Sequence, residues 1–313
     1  MAAEQRKSSD KSDSNGNSIH SKLDGQESLS HTNDPSTKAS QSKPKDHWTH
    51  SAYNASASFV PLLTTEILQW LNPQPTDTIL DLGCGDGVLT AKIADMCSSI
   101  DGFDASADLL ESAQNSYNTV PNVTWRMVDC RYLETSKELE HGRYNKVFSN
   151  AALHWILRDP STRMSVLRGA YKALRPGGAF VFEMGGAGNV EGVHAALLAA
   201  LKHQGVSIEE AREACPWYFP SENLMKNMLE EVGFTVQKSK AEYRPTELMT
   251  GKAGGLEGWV RLMGAQFLEV LPTEEKRAAV VKEVCDVLKT VIMHEEDGSM
   301  WLGYVRLKMV AQK

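Results

Sequence analysis

The sequence predicts an α/β protein built on a mostly parallel β-sheet with helices on both faces. Three observations lead there. Short apolar runs alternate with segments of helical periodicity between residues 78 and 185. A glycine turn, Gly83-Cys84-Gly85-Asp86-Gly87, joins the first apolar run directly to a helix. The 313-residue chain, 41% hydrophobic, can bury one large core with length to spare.

The elements follow in chain order. Residues 1–46 are rich in Ser, Asp, Lys, Asn and Gln and contain no Phe, Trp or Tyr. They never gather enough apolar side chains to offset the entropy of ordering, so a disordered tail is expected, with a solvated extension or a protein-binding segment both left open. The folded domain is expected over 47–313. Apolar residues at helical spacing from Phe59 to Leu71, stopped by Asn72-Pro73, predict an entry helix. TDTILDLGCGDG predicts a strand and its turn, and VLTAKIADMC predicts the helix after it. SSIDGFD is a second strand, SADLLESAQNSY a helix capped by Ser106, VTWRMVD a third strand and NKVFS a fourth. SVLRGAYKAL reads as a helix stopping at Arg175-Pro176-Gly177-Gly178, before a fifth strand, AFVFEMG.

The alternation then pauses. Val190 to His203 and Ile208 to Ala214 are expected helices, PWYFP a loop, and SENLMKNMLEEVGF a helix ending at Gly233. FTVQKSK is a sixth strand; helical stretches over Gly255 to Leu271 and Thr273 to His294 precede a last strand, Met300 to Ala311. LGYVRLKMVAQK reads as a sheet edge, with Arg306 and Lys308 discouraging pairing with other chains. The helical insertions, about 187–220 and 246–297, are expected to roof a site.

Composition excludes several function classes. Cys84, Cys97, Cys130, Cys215 and Cys285 form no CxxC pair and no zinc-like cluster, so reduced thiols and no metal are expected. The net charge is -7, and the first fifty residues hold seven basic and seven acidic side chains, which leaves the negative excess on the domain. No nucleic-acid partner is expected. Neither a run of 18 apolar residues nor a secretory core appears, so no membrane partner and a cytoplasmic location, with the nucleus left open, are expected.

Three acids end three consecutive strands. Asp81 precedes the glycine turn, where Gly83, Gly85 and Gly87 let backbone approach a ligand. The G-x-G-x-G spacing differs from the dinucleotide fingerprint G-x-G-x-x-G, and an acid at Asp81 suits a ligand with an ammonium group better than one with phosphates. Asp104, with Ala105 beside it, stands where an acid accepts from ribose hydroxyls; capping the helix at Ser106 is its alternative role. Asp129-Cys130 is placed to hold an adenine, or to make an ordinary turn.

ILDLGCGDG, IDGFD, VDC and LRPGGAFVF together resemble the class I S-adenosylmethionine (SAM)-dependent methyltransferases, over about residues 55 to 185. The resemblance implies a Rossmann-like seven-stranded sheet whose last two strands form an antiparallel edge. It implies SAM as cofactor, held by Asp81, Gly83, Gly85, Gly87, Asp104, Ala105, Asp129, Cys130 and Asn150. SNAALHWI, the segment after PWYFP and GLEGWVRL are similar to the trans-aconitate methyltransferase-like small-molecule enzymes. Asn150 is followed by Ala-Ala-Leu, without the Asn-Pro-Pro-aromatic motif of DNA adenine methyltransferases.

His154 follows the fourth strand where the family faces the transferred methyl, and is the candidate base or hydrogen-bond partner. Trp155, Trp217 and Tyr218 are candidate walls of the acceptor site. Arg244 and Arg261 are the cations expected to meet a carboxylate acceptor. A small-molecule acceptor is the leading expectation, such as a carboxylate or secondary metabolite; a protein methyltransferase, a SAM-binding regulatory subunit and an NAD-dependent oxidoreductase are the competing readings.

Overall fold

The computed structural model describes residues 64–248 and 254–313. The expected tail, the first residues of the entry helix and residues 249–253 of the second insertion lie outside the described residues. The sheet has seven strands: β1 (Thr78–Leu82), β2 (Ser99–Asp104), β3 (Val123–Met127), β4 (Tyr144–Asn150), β5 (Leu174–Gly185), β6 (Thr235–Glu247) and β7 (Trp301–Gln312). Their spatial order is β3-β2-β1-β4-β5-β7-β6. The first five pair in parallel, while β7 runs antiparallel to both β5 and β6. Strand order reverses between β1 and β4, and the crevice outside the strand ends at that point is where open α/β sheets bind ligands.

Alternating residues of each parallel strand go to opposite faces, and both faces are apolar. Ile79, Ile100, Phe148 and Val181 pack with α1 (Thr65–Leu71) and α2 (Val88–Ala94). Leu80, Leu82, Phe103, Val147, Phe180 and Phe182 pack with α5 (Pro160–Ala173) and α8 (Glu222–Val232). Parallel strands covered on both faces must be apolar on both, which is why they read as continuous apolar runs. On β2 the turn to α3 (Ala107–Ser116) is closed by Ser106, whose hydroxyl accepts from the Leu109 N–H. A 3₁₀ helix, Cys130–Thr135, follows β3, and the four-residue α4 (Leu153–Ile156) follows β4.

A third apolar cluster forms the roof. It joins α6 (Glu191–His203), α7 (Ile208–Glu213), α9 (Gly255–Met263), α10 (Ala265–Glu269) and α11 (Glu274–Ile292) to the start of β7. The helical stretch expected over Gly255 to Leu271 is two helices. Gly264 separates them, and a side chain there would lie 2.7 Å from the Val260 carbonyl oxygen.

Two expectations are corrected. β6 runs to Glu247, seven residues past the predicted end, because residues 241–247 all pair with β7. β7 is not an edge: it lies between β5 and β6, with Arg306 and Lys308 only 5% and 2% exposed. Their charges are met inside the fold. Arg306 donates to Glu183 at 2.9 Å, and Lys308 donates to Glu242 at 2.7 Å and to Glu66. Among the described residues no helix is long and apolar enough to cross a membrane.

Candidate active site

The candidate site is assembled from the C-terminal ends of β1, β2, β4 and β5. Leaving β1, the Gly83 and Cys84 N–H groups both donate to the Phe103 carbonyl, at 2.8 and 3.1 Å, which folds the chain back on itself. Gly83 has φ +77°, and a side chain there would sit 2.2 Å from the Ala152 Cβ. The turn is therefore in direct contact with the segment that carries His154. Gly85, at φ +57°, has no atom within 4 Å of where a Cβ would be, which leaves its backbone open to a ligand.

Asp104 closes the other side. Its carboxylate accepts from the Gly85 N–H and the Ser106 N–H, both at 2.9 Å, and so ties the glycine turn to the end of β2. Ala105 is exposed between Asp104 and the Ser106 cap. Asp81 lies beneath the turn and accepts from the Thr90 hydroxyl at 2.6 Å. Burial pushes its pKa up to about 7, against the Thr90 hydrogen bond and helped by the Asp104 charge.

Asp129 opens the 3₁₀ helix, accepting from the Arg131 N–H at 3.0 Å and from the same residue's guanidinium at 2.6 to 3.1 Å. Cys130 is buried behind it, and burial above all holds its thiol protonated. Asn150 ends β4. Its Oδ1 is buried and has no hydrogen-bond partner within the protein, a state that costs about 1 to 3 kcal/mol unless a ligand or water donates to it. The next residue, Ala151, has φ +55°, a left-handed conformation that non-glycine residues rarely adopt. These residues fit SAM: an open glycine backbone, acids at three strand ends and an acceptor atom awaiting a donor.

His154 is buried against the end of β5. The Gly185 N–H donates to its Nδ1 at 3.3 Å, so in the neutral ring the proton resides on Nε2. Burial, and then the charge of Arg306, hold its pKa well below the usual histidine value. The ring is therefore neutral, with Nε2–H as its hydrogen-bond donor in this arrangement. Trp155 and Phe219 flank the imidazole at centroid distances of 5.3 and 5.7 Å. Trp217 stacks on Phe219 at 5.7 Å and meets Trp155 edge-on at 6.1 Å.

Not all expected wall residues join. Tyr218 donates its N–H to the His154 carbonyl, but its ring lies under the Arg163 guanidinium and its hydroxyl reaches Met228, among the residues of the sheet core. Successive residues of an extended segment point to opposite sides, so Phe219 takes the place expected of Tyr218. The two arginines are paired with carboxylates, Arg244 with the residue in register with Asn150. Arg244 donates to Glu183 at 2.9 Å, and Arg261 to Glu257 and Glu274 at 3.0 and 3.2 Å. Among the described residues no group of His, Cys, Asp and Glu is arranged to hold a metal.

With this geometry in place, the relatives are informative. The Methyltransferase domain family matches residues 79–178, from β1 to the start of β5. The chain is 35% identical over 274 residues to an uncharacterized methyltransferase of Schizosaccharomyces pombe, covering 86% of this chain and 99% of the relative. It is also 35% identical over 112 residues to an uncharacterized methyltransferase of Mycobacterium tuberculosis, spanning 36% of this chain and 52% of that one. Among solved structures, the YcgJ protein of Bacillus subtilis has a TM-score of 0.55 at 13% identity, covering 79% of this chain and 96% of its own. The chain belongs to the class I SAM-dependent methyltransferases.

Proposed function

We propose that this protein transfers the methyl group of SAM to an oxygen of a small-molecule acceptor, a carboxylate being the acceptor the site suits best. The observation that carries this reading is the aromatic cluster next to the glycine turn, where His154, its Nδ1 accepting from the Gly185 N–H, packs against Trp155 and Phe219. An enclosed apolar wall excludes water and suits a small molecule better than a folded protein surface or a duplex.

On this reading the Gly83–Gly87 backbone and Asp81 hold the methionine end of SAM, Asp104 and Ala105 the ribose, Asp129 and Cys130 the adenine, and Asn150 Oδ1 gains the donor it lacks. When bound, SAM supplies a methyl on a positively charged sulfur, so the protein has mainly to align and desolvate the acceptor. His154 donates Nε2–H to the acceptor oxygen and fixes its orientation. A carboxylate acceptor has no proton to lose, so the transfer needs no base.

Calorimetric titration of SAM and S-adenosylhomocysteine into the wild type and Asp104→Ala tests the cofactor half. A loss of about 10- to 100-fold in affinity is expected for the variant, the worth of hydrogen bonds to a charged group. Equal affinities would remove Asp104 from the site. Labelled SAM incubated with separated protein and metabolite fractions tests the acceptor half, which fails if label enters protein alone.

A further inference from the structure

The wall around His154 continues into the roof and ends at a second imidazole. His194, on α6, meets Trp217 edge-on at 5.9 Å and Phe267 at 5.7 Å. Its Nε2 is buried with no hydrogen-bond partner within the protein. Burial also holds its pKa below the ordinary histidine value, so the ring is neutral at physiological pH. A neutral, polar, unpaired nitrogen set among aromatic rings destabilises the free protein, where a phenylalanine of nearly the same shape would not. Trp217 touches both Trp155 and His194, so one continuous aromatic surface has an imidazole at each end.

We propose that His194 is a specificity residue for the far end of the acceptor, which is a planar, largely apolar monocarboxylate bearing an uncharged polar group. This rests on the small-molecule methyl-transfer reading above. The carboxylate lies at His154, whose Nε2–H donates to it. The flat body lies along Trp155, Phe219 and Trp217, whose faces and edges favour conjugated rings over flexible chains. A hydroxyl or carbonyl at the distal end completes the hydrogen bonding of His194 Nε2. A second carboxylate would be poorly placed there, because the His194 nitrogen is buried among Trp217 and Phe267, where a second charge would be desolvated without a counter-ion.

The test compares wild type with His194→Phe, full-length and saturated with S-adenosylhomocysteine, titrated with benzoate, 4-hydroxybenzoate and citrate. The wild type is expected to bind 4-hydroxybenzoate at least tenfold more tightly than benzoate, and citrate least. His194→Phe is expected to lose that preference while keeping its affinity for benzoate and for S-adenosylhomocysteine. Thermal unfolding of the ligand-free variant is expected at a Tm about 2 to 4 °C above wild type, because the unpaired nitrogen is gone. A lower Tm in His194→Phe would show the imidazole to be structural, and would overturn the proposal. So would an unchanged preference, tighter binding of citrate, or no binding of any probe by a protein that binds S-adenosylhomocysteine. Failure to bind S-adenosylhomocysteine would instead sink the methyl-transfer reading itself.

Discussion

Asp81 and His154 are both driven towards their neutral forms, the acid upward and the imidazole downward, and burial is the main cause of each shift. They therefore respond to pH in different ways. Asp81, with its pKa pushed up to about 7, must ionise before it can meet an ammonium group. SAM affinity is expected to rise from pH 6 to pH 7.5, with release of part of a proton, until the ligand's own amino group begins to deprotonate near pH 8. Calorimetry in buffers of different ionisation enthalpy would show that proton, and a pH-independent signal would take Asp81 out of the role. For His154 the sign concerns stability. The unfolded imidazole takes up a proton below about pH 6.5 while the folded one does not, so stability is present above that pH and is lost as pH falls. The loss is at most about 1.4 kcal/mol per pH unit in that window. Urea unfolding of wild type and His154→Gln between pH 7.5 and 5 should give a difference that shrinks as pH falls; a constant difference would refute the buried neutral state. The positions of Asp104 and Asp129 were legible because strand ends and glycine turns leave local signals. His194 was not, since its meaning lies in an atom left unpaired by packing, which no spacing reveals. Phe219 is legible in the alternation of PWYFP, which sets Trp217 and Phe219 on one side and Tyr218 on the other.

At the scale of single elements, β7 shows where local reading fails. Arg306 and Lys308 alternate with apolar neighbours as they would on a solvent-facing edge, yet their partners Glu183, Glu66 and Glu242 come from β5, α1 and β6. Complementary charges so distant in sequence are joined only by the register of the sheet and by the packing of α1 on it. The parallel strands were easy to recognise because their burial on both faces makes them apolar throughout; β6 and the short helices lack such a signal. Glu183 is the centre of the network. Burial pushes its carboxyl up, but Arg306 and then Arg244 outweigh that and keep it below the usual range, so it is ionised in the interior. Removing its charge would strand cations that are themselves buried. Glu183→Gln is expected to cost about 3 to 5 kcal/mol in urea unfolding, whereas Arg261→Ala, which breaks an exposed pair, should stay within about 1 kcal/mol. Equal costs for the two variants would show that the strip gains its stability from packing and not from paired charge.

Over the whole molecule, the three apolar clusters divide the work. Two of them flank the sheet and hold the strand ends that form the glycine turn and Asp104, while the third belongs to the roof. Sequence periodicity points to helices after β5 and after β6 but not to their anchorage, because the contacts that fix a roof join segments far apart in the chain. One such anchor is the Trp259 indole N–H, which donates to the Tyr304 hydroxyl at 2.7 Å and ties α9 to β7. Both side chains are buried, so Tyr304→Phe leaves the indole N–H without this acceptor, at about 1 to 3 kcal/mol. Because Trp259 also packs on Trp217 at 6.2 Å, the loosening should reach the aromatic wall and spare the cofactor end. Hydrogen exchange is then expected to quicken in residues 255–268, S-adenosylhomocysteine affinity to change by less than about twofold, and KM for the acceptor to rise. A parallel loss of S-adenosylhomocysteine affinity would mean that roof and cofactor site open as one unit. Unaltered exchange would mean that the hydrogen bond is not an anchor. Only separate responses fit a protein that sets acceptor choice in a roof folded as its own cluster above a shared methyltransferase sheet.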